Sequence, residues 1–152
     1  MHFYDLIKKL SEEKDIMLFV DMDGVLASYD VGNPSGFTEK RPLKQNIENI
    51  RKVSEIENVE VYILSMCRHP NQIEEKNIWL DKYAPFFIKE NRNIIARENE
   101  GWRNSKDIKT EFLQKIKTDK QLVLLDDDNT VLKEVMRNVE NIIVLQDSEL
   151  VD

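Results

Sequence analysis

The apolar residues of this chain form short runs that alternate with segments of helical periodicity. The runs are IMLFV (16–20), VEVYIL (59–64), NIIA (93–96), LVLL (122–125) and IIVL (142–145). Between them, apolar residues recur every three or four positions, as they do on one face of a helix. Short apolar strands that alternate with helices are typical of a parallel sheet covered by helices on both faces. The sequence therefore predicts an α/β fold, a Rossmann-like three-layer sandwich with a five-stranded parallel sheet.

The 152 residues suit a single domain, which we expect to span residues 1–152. We find no internal repeat, no low-complexity stretch and no linker that would divide the chain. The segment 27–41 contains Gly32, Pro34 and Gly36 but few core residues, so it is predicted to be a loop or flap. It is too short for a full cap domain.

Charge and composition exclude several classes of function. The formal charge of -7 argues against a broad basic surface for duplex nucleic acid or anionic lipid. The single cysteine cannot form an internal disulfide, which favours a cytoplasmic location. No apolar run approaches the roughly 20 residues that a membrane helix needs, so no membrane association is expected.

Polar residues follow the predicted strands at the points where the strands end. Asp21 and Asp23 come after the first strand and lie on the same side of an extended segment, before Gly24 allows a turn. Ser65 follows the second strand, and Asp126 and Asp127 follow the fourth. Lys106 lies at the start of the helix that leads into the fourth strand. Open α/β sheets bind ligands beyond the carboxyl ends of their strands, so these side chains are expected to form one site.

Phosphoryl transfer through a phospho-aspartate requires this combination of groups. A carboxylate can attack phosphorus, but only if a cation reduces the repulsion between the two anions. Aspartates at the first and fourth strands are suitable ligands for Mg²⁺. Ser65 and Lys106 would hold the phosphate oxygens, and Asp23 would protonate the leaving group and later deprotonate water.

The ordered motifs DMDGVLA (21–27), Ser65 after VYIL, Lys106 in SKDIK and LLDDD (124–128) resemble the four motifs of the haloacid dehalogenase (HAD) superfamily of phosphatases. The resemblance implies a HAD-like fold of the capless or minimal-cap type. It also implies Asp21 as nucleophile, Asp23 as acid and base with a backbone carbonyl ligand to Mg²⁺, and Asp127, with Asp126 beside it, as further metal ligands. The segment 59–85 is similar to 5'(3')-deoxyribonucleotidases.

Several assignments stay open at this stage. Lys109 lies one helical turn beyond Lys106 and could replace it, although the spacing to Asp127 favours Lys106. The metal ligand could be any of the three acids at 126–128, although Asp128 suits the N-cap of the next helix.

The substrate expected from the short flap is a nucleotide-like phosphate, with a nucleic-acid end as a further option. Candidate substrate contacts are Tyr29, Arg41 and Arg68. A second subunit could help the flap to cover the site. The alternative function is a receiver-like or catalytically quiet phosphate-binding domain, which would retain its phosphate.

Overall fold

The computed structural model describes residues 2–29 and 36–151. The helices are α1 (His2–Ser11), α2 (Lys44–Ser54), α3 (Asn71–Tyr83), α4 (Ser105–Gln114) and α5 (Asn129–Asn138). The strands are β1 (Ile16–Val20), β2 (Val59–Cys67), β3 (Arg92–Ala96), β4 (Gln121–Asp126) and β5 (Ile142–Gln146). Short 3-10 helices cover Phe37–Glu39, Lys89–Asn91, Arg97–Glu100 and Asp147–Val151.

The strands form one parallel sheet in the order β3-β2-β1-β4-β5. The central strand β1 therefore lies between β2 and β4, and its last residue, Val20, is in register with Ile63 and Leu125. The chain moves outward from β1 in one direction through β2 and β3, and in the other through β4 and β5. A ligand crevice is expected where these two directions separate, beyond the carboxyl ends of β1 and β4.

Helices cover both faces of the sheet, as the sequence predicts. On one face, α1, α2 and α3 bury residues such as Phe3, Ile50 and Trp79 against β1 and β2. On the other face, α4 and α5 bury Leu113 and Val135 against Phe19 and its neighbours. The predicted α/β three-layer sandwich with a five-stranded parallel sheet is confirmed.

The predicted elements are present, but their ends differ from the apolar runs. The largest difference is in β2, which continues to Cys67 because Met66 and Cys67 pair with Ile95 and Ala96 of β3. Ser65 therefore lies within β2 rather than after it. Apolarity alone ends the strand too early, because the ladder hydrogen bonds continue into a polar position.

The predicted flap, 27–41, is described only in part, since residues 30–35 lie outside the described residues. Its second half is anchored on α3: the rings of Phe37 and Trp79 lie 5.7 Å apart, and the Trp79 indole N–H donates to the Lys40 carbonyl at 2.9 Å. Among the helices of the described chain, none has the length and apolarity needed to cross a bilayer.

Candidate active site

A tight turn after β1 positions the first aspartate. The Asp21 backbone N–H donates to the Leu125 carbonyl of β4 at 3.0 Å, which fixes the residue at the junction of the two strands. The Met22 carbonyl then accepts the backbone N–H groups of Leu26 and Ala27, each at 2.9 Å. The turn therefore begins at Met22, directly after Asp21.

Gly24 occupies the centre of this turn with a φ of +80°, a conformation that L-residues rarely adopt. A Cβ at this position would lie 2.1 Å from Oδ2 of Asp127. The glycine is therefore needed for two reasons, the backbone conformation and the close approach of the Asp127 carboxylate.

Asp21, Asp126 and Asp127 form an acidic cluster at the carboxyl ends of β1 and β4. Each contributes a carboxylate oxygen, and these oxygens lie within 4.8 Å of one another. Asp126 is fully buried, and its Oδ1 accepts the backbone N–H of Asp128 at 3.0 Å. The buried Lys109 ammonium bridges the cluster, at 2.7 Å from Asp126 Oδ2 and 3.2 Å from Asp21 Oδ1.

The electrostatics of the acidic cluster favour an added cation. Burial raises the pKa of Asp21 to about 8, with Asp126 adding to the rise and Lys109 opposing it. Burial and the Asp126 carboxylate also raise the pKa of Asp127, to about 6. Burial alone would lower the pKa of Lys109, but Asp21 and Asp126 outweigh it and raise this pKa. The lysine therefore stays charged, and its one ammonium contacts two of the three carboxylates, those of Asp21 and Asp126.

The donor set of the acidic cluster fits a hard divalent cation. Carboxylate oxygens are the protein ligands that Mg²⁺ prefers, and Mg²⁺ usually completes its coordination with water and substrate oxygens. Asp21, Asp126 and Asp127 are the residues that would hold it. The carboxylate of Asp23 is not a member of the cluster, and the metal contact expected of Asp23, through its backbone carbonyl, stays a prediction.

Asp23 faces a different group of side chains. Its carboxylate accepts from Lys40 at 2.5 Å and from Lys76 at 3.1 Å. Burial would raise the pKa of Asp23, but the charges and hydrogen bonds of Lys76 and Lys40 outweigh burial and hold this pKa below its usual value. β1 ends at Val20, and Asp21 and Asp23, which follow it, both line the same cavity although their charged partners differ.

Sequence analysis missed two lysines that contact Asp23, Lys40 in the flap and Lys76 on α3, of which Lys76 is the more buried. Its side chain is only 3% exposed, and its ammonium donates to Asp23 Oδ2, to Ser65 Oγ at 2.7 Å and to the Met66 carbonyl at 2.7 Å. These three bonds use the three N–H groups of the ammonium. Helical spacing could have identified Lys76, because it lies four residues before Leu80 and so on the buried face of α3.

Lys109, and not Lys106, is the lysine of the acidic cluster. Lys106 lies one turn earlier on α4 and lines a separate surface cavity with Arg97, Asn104 and Thr130. The preference for Lys106 is therefore corrected. Linear spacing to the acidic residues cannot distinguish the two, but the buried face of α4 contains Ile108, Lys109 and Leu113, so burial selects Lys109.

Ser65 and Arg41 also differ from expectation. Ser65 is fully buried and is held by Lys76, and it does not line the cavities beside Asp21 and Asp23. The Ser65 hydroxyl was predicted to contact phosphate directly, but in the structure it contacts the Lys76 ammonium. Arg41 is exposed and lines neither cavity. Tyr29 lines the cavity beside Asp21, and Arg68 lines the cavity beside Lys76.

Asp128 is the N-cap of α5, as its position suggests. Its Oδ1 accepts the Thr130 backbone N–H at 2.9 Å and the Thr130 hydroxyl at 2.7 Å. These bonds lower the pKa of Asp128, and the carboxylate lies outside the acidic cluster. Asp126 and Asp127, but not Asp128, thus belong to the cluster that could hold a cation.

Two adjoining cavities lie at this end of the sheet. The site cavity, about 160 Å³, is lined by the acidic cluster, Lys109, Tyr29 and Ser105. The cationic cavity, about 300 Å³, is lined by Lys40, Arg68, Lys76 and Phe37, among others. Asp23 and Met66 line both cavities and so form their common boundary.

A larger cavity, about 690 Å³, lies at the opposite end of the sheet, among Leu113–Asp119, Leu122 and Asn138–Asn141. It adjoins the amino ends of β4 and β5 and contains no cluster comparable to that of Asp21. Size therefore does not identify the candidate active site of this protein, whereas the convergence of buried charged groups does.

Comparison with known proteins identifies structural similarity only. No protein-family model and no curated protein matches the chain. A chain of a solved structure described as a Pnkp1/Rnl/Hen1 complex aligns with a TM-score of 0.69 and 22% identity. A chain of a structure described as the Pnkp1/Rnl/Hen1 RNA repair complex aligns with a TM-score of 0.64 and 20% identity.

These alignments cover 88% of this chain but only 46% and 43% of the two larger chains. The protein thus spans less than half the length of these structural neighbours. At this level of identity the similarity supports the fold.

Proposed function

We propose that the protein is a Mg²⁺-dependent phosphohydrolase of the HAD type, which cleaves phosphate monoesters through a phospho-aspartate on Asp21. The observation that carries this proposal is the setting of Asp21. Its carboxylate lies in a cluster with two further carboxylates and is contacted by the buried ammonium of Lys109. A nucleophilic carboxylate beside cation ligands and a fixed lysine is the arrangement that phosphoryl transfer requires.

In this mechanism Asp21 Oδ attacks the phosphorus atom and the ester oxygen leaves. Bound Mg²⁺ would keep Asp21 ionised and reduce the repulsion between its carboxylate and the phosphate. Lys109 lies 3.2 Å from Asp21 and is held by Asp126, so it can donate to a phosphate oxygen beside the nucleophile. Water then attacks the phospho-aspartate and releases inorganic phosphate.

Asp23 is the group that transfers the proton in both steps. It borders the site cavity and differs from Asp21 in its pairing with Lys40 and Lys76. The ionised form favoured by these lysines is suited to deprotonate the hydrolytic water. A phosphate that competes for the N–H groups of Lys40 weakens this pairing and raises the pKa of Asp23, which allows it to carry a proton to the leaving group.

The proposed substrate is a nucleotide or a nucleic-acid phosphate. Tyr29 lines the site cavity with two thirds of its side chain exposed, so its ring is available to stack on a base. The sequence resemblance to deoxyribonucleotidases and the association of the structural neighbours with RNA repair support the same substrate class.

Phosphate release from a panel of esters, measured with and without Mg²⁺, tests the proposal. The panel should contain nucleotides, oligonucleotides with terminal phosphates, sugar phosphates and simple alkyl phosphates. We expect Mg²⁺-dependent turnover of the nucleotide members, and its loss in Asp21→Asn. Asp119→Asn is the matched control, because Asp119 is exposed at the opposite end of the sheet.

Two results would reject the proposal. Undiminished turnover by Asp21→Asn would show that Asp21 is not the nucleophile. A stable phosphorylated protein, trapped after incubation with a small phosphodonor and detected by intact mass, would instead indicate the receiver-like alternative.

A further inference from the structure

We infer that the cationic cavity binds a second phosphate group of the substrate, next to the phosphate that is cleaved. This inference rests on the proposed function, because it assigns the first phosphate to Asp21. The ligand class is a phosphomonoester or phosphodiester one short spacer away from the scissile ester, as found in nucleoside bisphosphates, sugar bisphosphates and phosphorylated strand ends.

The charge of the cationic cavity is the first argument. Its lining includes three cationic side chains, Lys40, Arg68 and Lys76, and one carboxylate, Asp23. The chain as a whole carries a formal charge of -7, so a concentration of positive charge here contrasts with the rest of the protein. A concave site lined mainly by one sign of charge attracts ligands of the opposite sign.

The distribution of hydrogen-bond donors is the second argument. Lys76 has committed its three N–H groups to Asp23, Ser65 and the Met66 carbonyl, so it contributes charge but no spare donor. Among the described residues, the Lys40 ammonium donates one hydrogen bond, to Asp23, and the exposed Arg68 guanidinium has no ion-pair partner. Lys40 and Arg68 are therefore the groups that would donate to the second phosphate.

The arrangement of the two cavities is the third argument. Asp23 and Met66 line both, so a molecule with one phosphate in the site cavity extends into the cationic cavity across a single residue. The Lys76 ammonium of the cationic cavity is held in place by three hydrogen bonds, by its burial at 3% exposure and by the ring of Phe37, 4.9 Å away. A phosphate placed there would meet preorganised charge.

Equilibrium binding to the Asp21→Asn protein tests the inference without turnover. Three pairs of probes, each differing by one phosphate, are measured by calorimetry in the presence of Mg²⁺. The pairs are adenosine 3'-monophosphate and 3',5'-bisphosphate, a dinucleoside monophosphate with and without a terminal phosphate, and fructose 6-phosphate and 1,6-bisphosphate.

We expect the member with the additional phosphate to bind about tenfold more tightly in at least one pair, as a charge-assisted contact would give. Adding Arg68→Gln or Lys40→Gln should reduce this ratio several-fold, and raising the salt concentration should reduce it too. Lys89→Gln is the charge-matched control and should leave the ratio unchanged, because Lys89 is exposed and precedes the amino end of β3. The pair with the largest ratio identifies the source of the second phosphate.

A ratio below about twofold in all three pairs would overturn the inference, as would a ratio that neither Arg68→Gln nor Lys40→Gln reduces. Thermal unfolding of each variant checks that the fold is retained. A native protein that hydrolyses no ester would reject the proposed function, and the binding ratios would still decide the inference separately.

Discussion

Replacement of Gly24 by alanine tests whether the turn after β1 shapes the proposed metal site. Gly24 has a φ of +80°, and a Cβ there would lie 2.1 Å from Asp127 Oδ2 and 2.7 Å from Asp127 Cγ. Contacts this short cannot exist, so the Asp127 carboxylate must rotate away. Gly24→Ala should therefore remove one of the three carboxylates of the acidic cluster from its position.

Gly101 provides a matched control, because it also has a positive φ, +63°, but a Cβ there would meet nothing within 4 Å. A non-glycine residue in this backbone region costs about 1–2 kcal/mol. Both variants should lose about this much stability, and each kcal/mol should lower the Tm by about 2–4 °C in a protein of this size. The two variants thus share the backbone cost and differ at Asp127.

The assay is thermal unfolding as a function of Mg²⁺ concentration. The native protein and Gly101→Ala should both be stabilised by Mg²⁺ with similar apparent affinity, because binding to the folded state raises its stability. Gly24→Ala should require at least tenfold more Mg²⁺ for the same shift. The reasoning is refuted if Gly24→Ala responds to Mg²⁺ within twofold of Gly101→Ala.

Three further outcomes follow from the site. Lys109→Met should abolish phosphatase activity and lower the free energy of unfolding, measured with denaturant, by about 3–5 kcal/mol, because the buried carboxylates lose their counter-charge. Lys106→Met should change little in either assay. Mg²⁺ affinity, measured by calorimetry, should increase between pH 6 and 8. Asp21, with a pKa raised to about 8, and Asp127, with a pKa raised to about 6, must lose their protons to bind the cation. An affinity independent of pH would contradict this. Asp128→Ala should cost about 1 kcal/mol through loss of the α5 cap and leave Mg²⁺ affinity unchanged, and a loss of Mg²⁺ binding would make Asp128 a ligand.

The fold could be predicted from the sequence because its signals are local. Continuous apolar runs separated by helical periodicity allow few arrangements other than a helix-covered parallel sheet, and the structure has that arrangement. The strand ends were less accurate, because hydrogen bonding to a neighbouring strand decides where a strand stops. Met66 and Cys67 belong to β2 through their pairing with β3, which no local pattern reports.

The site was predicted in part, and the errors share one cause. The acids that follow β1 and β4 were found because strand ends are visible in the sequence. The helical lysines were placed less well, since their side chains enter the site from helices whose rotation depends on packing: Lys109 was only the alternative to Lys106, and Lys76 was missed. The rotation of α4 buries Lys109 instead of Lys106, and the rotation of α3 buries Lys76 beside Ser65.

Asp21 and Asp23 illustrate why residue type alone does not assign a chemical role. The two carboxylates are separated by one residue, yet burial raises the pKa of Asp21, whereas Lys76 and Lys40 lower the pKa of Asp23 despite its burial. The difference arises because Asp21 is bonded to β4 and contacts Lys109 of α4, while Asp23 lies within the turn and contacts Lys76 of α3. Environments that separate the pKa values of neighbouring acids also separate their roles. In the proposed mechanism, this difference assigns the attack on phosphorus to Asp21 and the proton transfer to Asp23.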